Sequence, residues 1–157
     1  MPSSWNEIRD RATAFAAEWR HTESEEADAK SFLDAFFAVF GVQRRKVASF
    51  ERRVKKLDGR DGYVDLLWKG TLLIEQKSRG KDLDRAYRQA IDYFPGLSDD
   101  ELPRWVLVSD FWHFHLHDLE EGPHNGRPVA PRKVTDGKGQ QRVADELDER
   151  SDRTGQR

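Results

Sequence analysis

The chain has no cysteine, which excludes a disulfide framework, a thiolate metal site and a cysteine nucleophile. It lacks any apolar run near the ~20 residues that a bilayer-spanning helix needs. Its first twenty positions scatter acids and bases among the apolar residues, so the uninterrupted core of a signal peptide is missing too. Neither sign of charge dominates: 27 Lys and Arg stand against 29 Asp and Glu, so the net charge says nothing about a polyanionic partner. There is no glycine-rich phosphate loop ending in Gly-Lys-Ser/Thr and no Ser–His–Asp grouping. These absences leave a soluble, cytoplasmic protein without a membrane partner as the expectation.

Aromatic residues are plentiful, with five Trp and nine Phe available to fill a core. Apolar residues recur at helical spacing over 5–19 (Trp5, Ile8, Ala12, Phe15, Ala16, Trp19) and over 25–40 (Ala29, Phe32, Leu33, Phe36, Phe37, Phe40), with Gly41 placed to end the second helix. Imperfect alternation over 46–57 predicts a strand ending at Asp58-Gly59. Two more strands follow at 62–68 and 71–77 around a turn at Lys69-Gly70. A helix over 80–94 carries the stripe Leu83, Ala86, Tyr87, Ala90 and Phe94, and strands at 105–109 and 112–119 complete the order. The pattern predicts an α/β fold: a mixed β-sheet flanked by helices, with an N-terminal helical pair in residues 1–45 and the core in residues 46–121. Residues 122–157 hold no Phe, Trp or Tyr and are expected to form a disordered tail, with a short helix near Val143–Arg150.

The chemistry concentrates in one stretch. Asp65 interrupts an apolar strand, and Glu75 and Lys77 end the next. Ionisable residues seldom sit in such strands without cause, because burying an unpaired charge is costly. Glu75 and Lys77, two apart, share a strand face, and a tight turn returns Asp65 alongside Glu75 if the register is even. Two carboxylates and an amine then meet. Carboxylates suit Mg2+ or Mn2+, one or two sufficing beside water and phosphate oxygens. Such an ion activates water and polarises a phosphodiester, and Lys77 would orient or deprotonate the attacking water. The main-chain carbonyl of Gln76 is a further candidate ligand. Gln89 and Tyr93, four apart on the following helix, share a flank that can face the carboxylates. The bland alternative for the trio is an ordinary hairpin with a cross-strand Glu–Lys network.

Basic residues cluster around this stretch: Arg44, Arg45, Lys46, Arg52, Arg53, Lys55 and Lys56 before it, Arg79 and Lys81 after it. They are candidates for contacts with DNA phosphates. Glu51 is a candidate fourth acid, with pairing to Arg52, Arg53 or Lys55 as the ordinary alternative. His113, His115 and His117 alternate on one strand face, opposite Phe114 and Leu116, and could bind Zn2+ or simply face solvent.

Asp65, nine intervening residues and Glu75-x-Lys77 resemble the motif of PD-(D/E)XK nucleases, with Val64 where the motif's name has proline. Gln89-x-x-x-Tyr93 resembles the helix motif of type I restriction and RecB-like nuclease domains. Phe36-Phe37-Ala-Val-Phe40-Gly41, Arg45-Lys-Val-Ala-Ser-Phe50-Glu51 and Leu107-Val-Ser-Asp110-Phe111 resemble the N-terminal domain of MmeI-like enzymes. These are restriction–modification proteins that fuse nuclease, helical spacer, adenine methyltransferase and target-recognition parts. The resemblance spans about residues 5–121. It implies a restriction-endonuclease-like fold, metal binding by Asp65 and Glu75, catalysis by Lys77, and accessory roles for Gln89, Tyr93 and an acidic helix residue, Asp28. It also implies double-stranded DNA as substrate and a part in phage defence. No Asn/Asp-Pro-Pro-Tyr/Phe methyltransferase motif occurs, so the expectation is a chain truncated before its methyltransferase, whose spacer, methyltransferase and target-recognition parts lie in a longer relative or on another chain. A non-catalytic binding or assembly remnant is the rival reading.

Overall fold

A computed structural model describes residues 3–56 and 58–120; the tail expected over 122–157 lies outside them. Helices α1 (Trp5–Glu18) and α2 (Glu25–Val39) and a helical turn α3 (Arg44–Val47) precede strands β1 (Ser49–Lys55), β2 (Asp61–Trp68) and β3 (Leu72–Gln76). Helix α4 (Leu83–Ile91), a 3-10 turn (Phe94–Gly96) and strands β4 (Trp105–Ser109) and β5 (Phe114–Asp118) follow. The five strands form one sheet in sequence order. Neighbours are antiparallel except β3 and β4, which the α4 crossover makes parallel. The expected mixed sheet with an N-terminal helical pair is the fold observed.

Side-chain alternation sorts this sheet into two cores. Leu66, Ile74 and Leu107 face α1 and α2, meeting Phe15, Trp19, Phe32, Leu33 and Phe37. Leu73, Val106 and Val108 face α4, meeting Leu83, Ala86, Ala90 and Tyr93. Phe32 is the hub of the first core, with ring centroids of Phe111 at 4.8 Å, Phe15 at 5.0 Å and Trp19 at 5.5 Å. Among the described residues no helix is long and apolar enough to cross a membrane.

Local chemistry moves several element boundaries from where periodicity puts them. The strand expected from Lys46 begins at Ser49, because Ala48 N–H closes a helical turn on Arg44 O and Arg44 Nη1 bonds Ala48 O. Helix α4 starts at Leu83 because the Asp82 carboxylate caps the N–H groups of Asp84 and Arg85. β5 starts only at Phe114, since Asp110 Oδ1 takes the N–H groups of Trp112 and His113 and holds both in a loop. Gly41, at φ 73, ends α2 as expected.

One irregularity matters for function. Phe50 pairs with Leu66, and both face the helical pair; Arg52 pairs with Val64, and Val54 and Val64 face α4. Residues two apart should share a face, so the pleat inverts between these pairs, at Glu51 and Asp65. That facing pair makes no ladder contact, and Glu51 takes φ 51, left-handed backbone that costs a non-glycine residue free energy.

Phe32→Ala is expected to lower unfolding free energy by about 3–5 kcal/mol, measured by urea denaturation with an unchanged m value; a loss below 1 kcal/mol would show that this cluster is not the organising core.

Candidate active site

The β2–β3 ladder runs Trp68↔Leu72, Leu67↔Leu73, Leu66↔Ile74 and then stops. One step further Asp65 faces Glu75 across strands that have begun to part. β2 continues paired with β1 alone, while β3 runs on beside β4 as far as Gln76↔Ser109. Inside this fork the Gln76 N–H donates to Asp65 Oδ2 at 2.8 Å, so a buried amide keeps a partner. The even register that the sequence argument required is present.

Glu75 is 1% exposed. Its Oε1 accepts from Lys77 Nζ at 2.8 Å and from Gln89 Nε2 at 2.6 Å. Its Oε2 is buried with no hydrogen-bond partner among the described residues. Gln89 also donates to Tyr93 Oη at 2.8 Å, so the α4 flank does look onto the carboxylate as its spacing suggested. Gly62 leaves the room that this needs: a Cβ there would meet the Tyr93 ring at 2.6 Å. Lys77 is set by its own N–H, which donates to Ser109 O at 2.7 Å. Glu75, Lys77, Gln89 and Tyr93 are therefore one hydrogen-bonded group, and Asp65, held by the Gln76 N–H, acts on it through its charge.

Its electrostatics are strained. Burial, with added repulsion from Asp65, pushes the Glu75 carboxyl up to about 8. Burial likewise raises Asp65 to about 6, against the lowering pull of the Gln76 N–H and Lys77. Burial alone would lower Lys77, but Glu75, Glu25 and Asp65 together outweigh it and hold the ammonium form. Burial and the Glu75 charge lift Tyr93 to about 12, so it remains a neutral phenol. A further positive charge beside the two carboxylates would relieve all of this. The donors present are oxygens, one of them orphaned and buried, which fits a hard divalent cation. Among the described residues no group of three His, Cys, Asp or Glu side chains assembles for a metal, so the site offers two carboxylates, Asp65 and Glu75.

Glu25 is the residue that sequence reasoning missed. Its charge acts on Asp65, Glu75 and Lys77 alike. Its Oε2 accepts from Ser78 N–H and its own N–H donates to Ser78 Oγ, both at 3.2 Å. Its only signal was its place just after the helix cap Ser24, where acids ordinarily serve the helix dipole. Asp28, the acid expected here from α2, is one turn on and does not figure among the charges acting on the trio. Glu51 does act on Asp65, yet its carboxylate pairs with Lys30 at 3.0 Å.

The basic residues divide. Arg44 is held by Asp34 at 2.7 Å and lies 3.9 Å over Phe50. Arg52 pairs with Glu101 at 3.0 Å, Arg53 and Lys55 share Asp61, and Arg79 pairs with Glu23 at 3.1 Å. Lys56 sits 5.3 Å over the Tyr93 ring. Arg45, Lys46 and Lys81 are exposed and have no ion-pair partner among the described residues. His117 stacks on Tyr87 on the α4 side, with centroids 3.8 Å apart, while His113 bonds Asp110 at 3.1 Å. The Zn2+ possibility for the three histidines is not met among the described residues.

Both carboxyls have folded pKa values above their unfolded ones, so unfolding releases protons and these groups erode stability as pH rises from about 4 to 8. Glu75→Gln is accordingly expected to melt higher than wild type at pH 8, by an equivalent of about 1–3 kcal/mol once the weakened bond to Lys77 is discounted. The advantage should vanish by pH 4 in paired melting curves; a variant less stable at pH 8 would contradict the strained-carboxylate reading.

Among curated proteins none matches the chain. A solved structure, a cryo-electron-microscopy structure of a DrdV–DNA complex, aligns with TM-score 0.47 and 16% identity, over 88% of this chain and 13% of that one. This chain thus spans about an eighth of that neighbour. The family model for the MmeI N-terminal domain matches residues 10–129, most of the chain, and the chain belongs to that family.

Proposed function

We propose that this chain is a metal-dependent endonuclease domain that hydrolyses phosphodiester bonds of double-stranded DNA. The observation that carries the reading is the buried, partnerless Glu75 Oε2 set beside Asp65 and flanked by the Lys77 ammonium. Membership of the MmeI N-terminal family supports it. Phosphodiester hydrolysis needs a place where negative charge accumulates on phosphoryl oxygens and is offset by fixed cations in a partly dry site.

Asp65 and Glu75, with the main-chain carbonyl of Gln76, would hold Mg2+ or Mn2+. When bound, such an ion polarises a phosphate oxygen and makes coordinated water more acidic. The chain's own residues do the rest. Lys77 is kept as an ammonium, so it donates hydrogen bonds: it orients the attacking water and offsets charge on the phosphoryl oxygens, and acts as a donor rather than a base. Gln89 and Tyr93 fix the rotamer of Glu75 through Oε1 and leave Oε2 for the ion. Glu25, tied to Ser78, holds the segment just after Lys77 against α2. Water adds to phosphorus as the bond to the departing sugar oxygen breaks; the attacking water gives one proton to solvent and the departing oxygen takes one up, so the products are a phosphate monoester and a sugar hydroxyl. Choice of sequence falls to target-recognition, spacer and methyltransferase parts of a longer relative or another chain.

Purified protein is expected to nick or linearise supercoiled plasmid with Mg2+ or Mn2+ and not with EDTA. Lys77→Ala should slow this by about 10²–10⁴-fold, read on agarose gels over time. A folded protein that binds plasmid but leaves it intact with either metal would replace this reading with that of a non-catalytic binding or assembly module.

A further inference from the structure

Trp112 is 52% exposed, yet it is firmly held. Its Nε1–H donates to Arg20 O at 2.9 Å, and its main-chain N–H donates to Asp110 Oδ1 at 3.1 Å. The Arg79 guanidinium lies 3.9 Å from the centre of its ring. Arg79 is itself fixed by Glu23 at 3.1 Å and by Arg20 O at 2.6 Å. The preceding residue, Phe111, is buried in the aromatic core at φ 71, a conformation that bulky side chains rarely adopt. The loop therefore accepts strain that sends one aromatic ring inward and presents the next one to solvent. An immobilised, half-open indole loses the benefit of burial unless something else covers it.

Its address is next to the cleavage site. Lys77 N–H bonds Ser109 O, and Gly80 N–H bonds Asp110 Oδ2 at 3.1 Å, so the segment leaving the catalytic strand is stitched to the loop carrying Trp112. The ring rests on Arg79, two residues from Lys77. The surrounding charge is mixed: Arg20 and Lys81 are exposed, the acids Glu23 and Asp110 are engaged by Arg79, Gly80, Trp112 and His113, Asp82 caps α4, and Asp84 lines the same cleft as Lys81.

We propose that Trp112 is a stacking platform for the flat face of a nucleotide in the bound DNA, beside the scissile phosphate, with Lys81 and Arg20 near the flanking phosphates. This rests on the DNA-cleaving reading above and adds a contact surface to it. The Arg79 guanidinium behind the ring and the exposed Arg20 and Lys81 offer cations to a polyanion that carries its own apolar rings, and aromatic stacking on such rings is tolerant of sequence. A protein partner would be expected to meet a wider apolar patch, whereas Trp112 is followed by His113 and backed by a guanidinium.

The test uses the full chain carrying Lys77→Ala, which spares the DNA, with fluorescein-labelled oligonucleotide in Mg2+ followed by fluorescence anisotropy. Adding Trp112→Ala or Trp112→Leu should weaken binding by about 5- to 150-fold, and Trp112→Phe should recover most of it. The slope of log affinity against log salt should stay the same, since no phosphate contact is lost. The Leu variant, confirmed folded by its melting curve, stands in if the Ala variant unfolds. A larger loss on the single strand than on the duplex identifies a base as the stacked ring, and equal losses identify a sugar face. Unchanged affinity in folded Trp112 variants, Phe no better than Leu, or an altered salt slope would overturn the platform while leaving the nuclease reading intact. A Lys77→Ala protein that binds no DNA would overturn both.

Discussion

Two carboxylates held side by side out of water cannot both ionise cheaply, and among the described residues Lys77 is the cation that acts on both. Most of the molecule's particular features serve that juxtaposition. The β2–β3 ladder must end at Leu66↔Ile74 so that Asp65 and Glu75 face each other in a fork instead of a closed sheet. The pleat inverts at Glu51 and Asp65, at the expense of a left-handed Glu51, so that Val64 and Leu66, two apart on β2, feed different cores. An ordinary hairpin would have no use for either departure, and the left-handed Glu51 lowers stability. Strain gathered at one place in an otherwise regular sheet is what a site prepared for a charged ligand looks like.

The two cores hold the fork open from opposite sides. On one face the aromatic cluster about Phe32 fixes α2, whose N-terminal Glu25 is locked to Ser78. On the other, α4 brings Gln89 to Glu75, and Tyr93, just beyond its end, rests against Gly62. The same packing that stabilises the sheet thereby orients every group of the site. Helix α4 also makes the β3–β4 pair parallel, which places Lys77, Asp110 and the Trp112 loop together at one end of those strands, where open α/β sheets commonly receive ligands.

Much of this could be read from the residues. The strand–turn–strand around Gly70, the trio Asp65, Glu75 and Lys77, and the Gln89–Tyr93 flank are all local patterns of period two or four, and local periodicity is what sequence carries most openly. Glu25 was hidden because its meaning comes from Ser78, fifty-three residues away, and because a first-turn acid already has an ordinary explanation. Asp28 was expected only from the family resemblance, which points to an acid on this helix without saying which one. The pleat inversion at Asp65 was invisible because alternation argues from an unbroken strand. Counting bases near the site likewise ignored their partners: Arg44, Arg52, Arg53, Lys55 and Arg79 each have an acid of their own, which leaves Arg45, Lys46 and Lys81 as the freer cations of that set.

What the account stands on is that Asp65 and Glu75 jointly hold one divalent cation. The most direct measurement is a titration with Mn2+ at pH 8, reading the free ion by electron paramagnetic resonance, beside Asp65→Asn, Glu75→Gln and Lys77→Ala. One saturable site is predicted, lost in either carboxylate variant and kept or tightened in Lys77→Ala, where a competing positive charge has gone. Binding that survives in both carboxylate variants, or none in a folded wild-type chain, would contradict it.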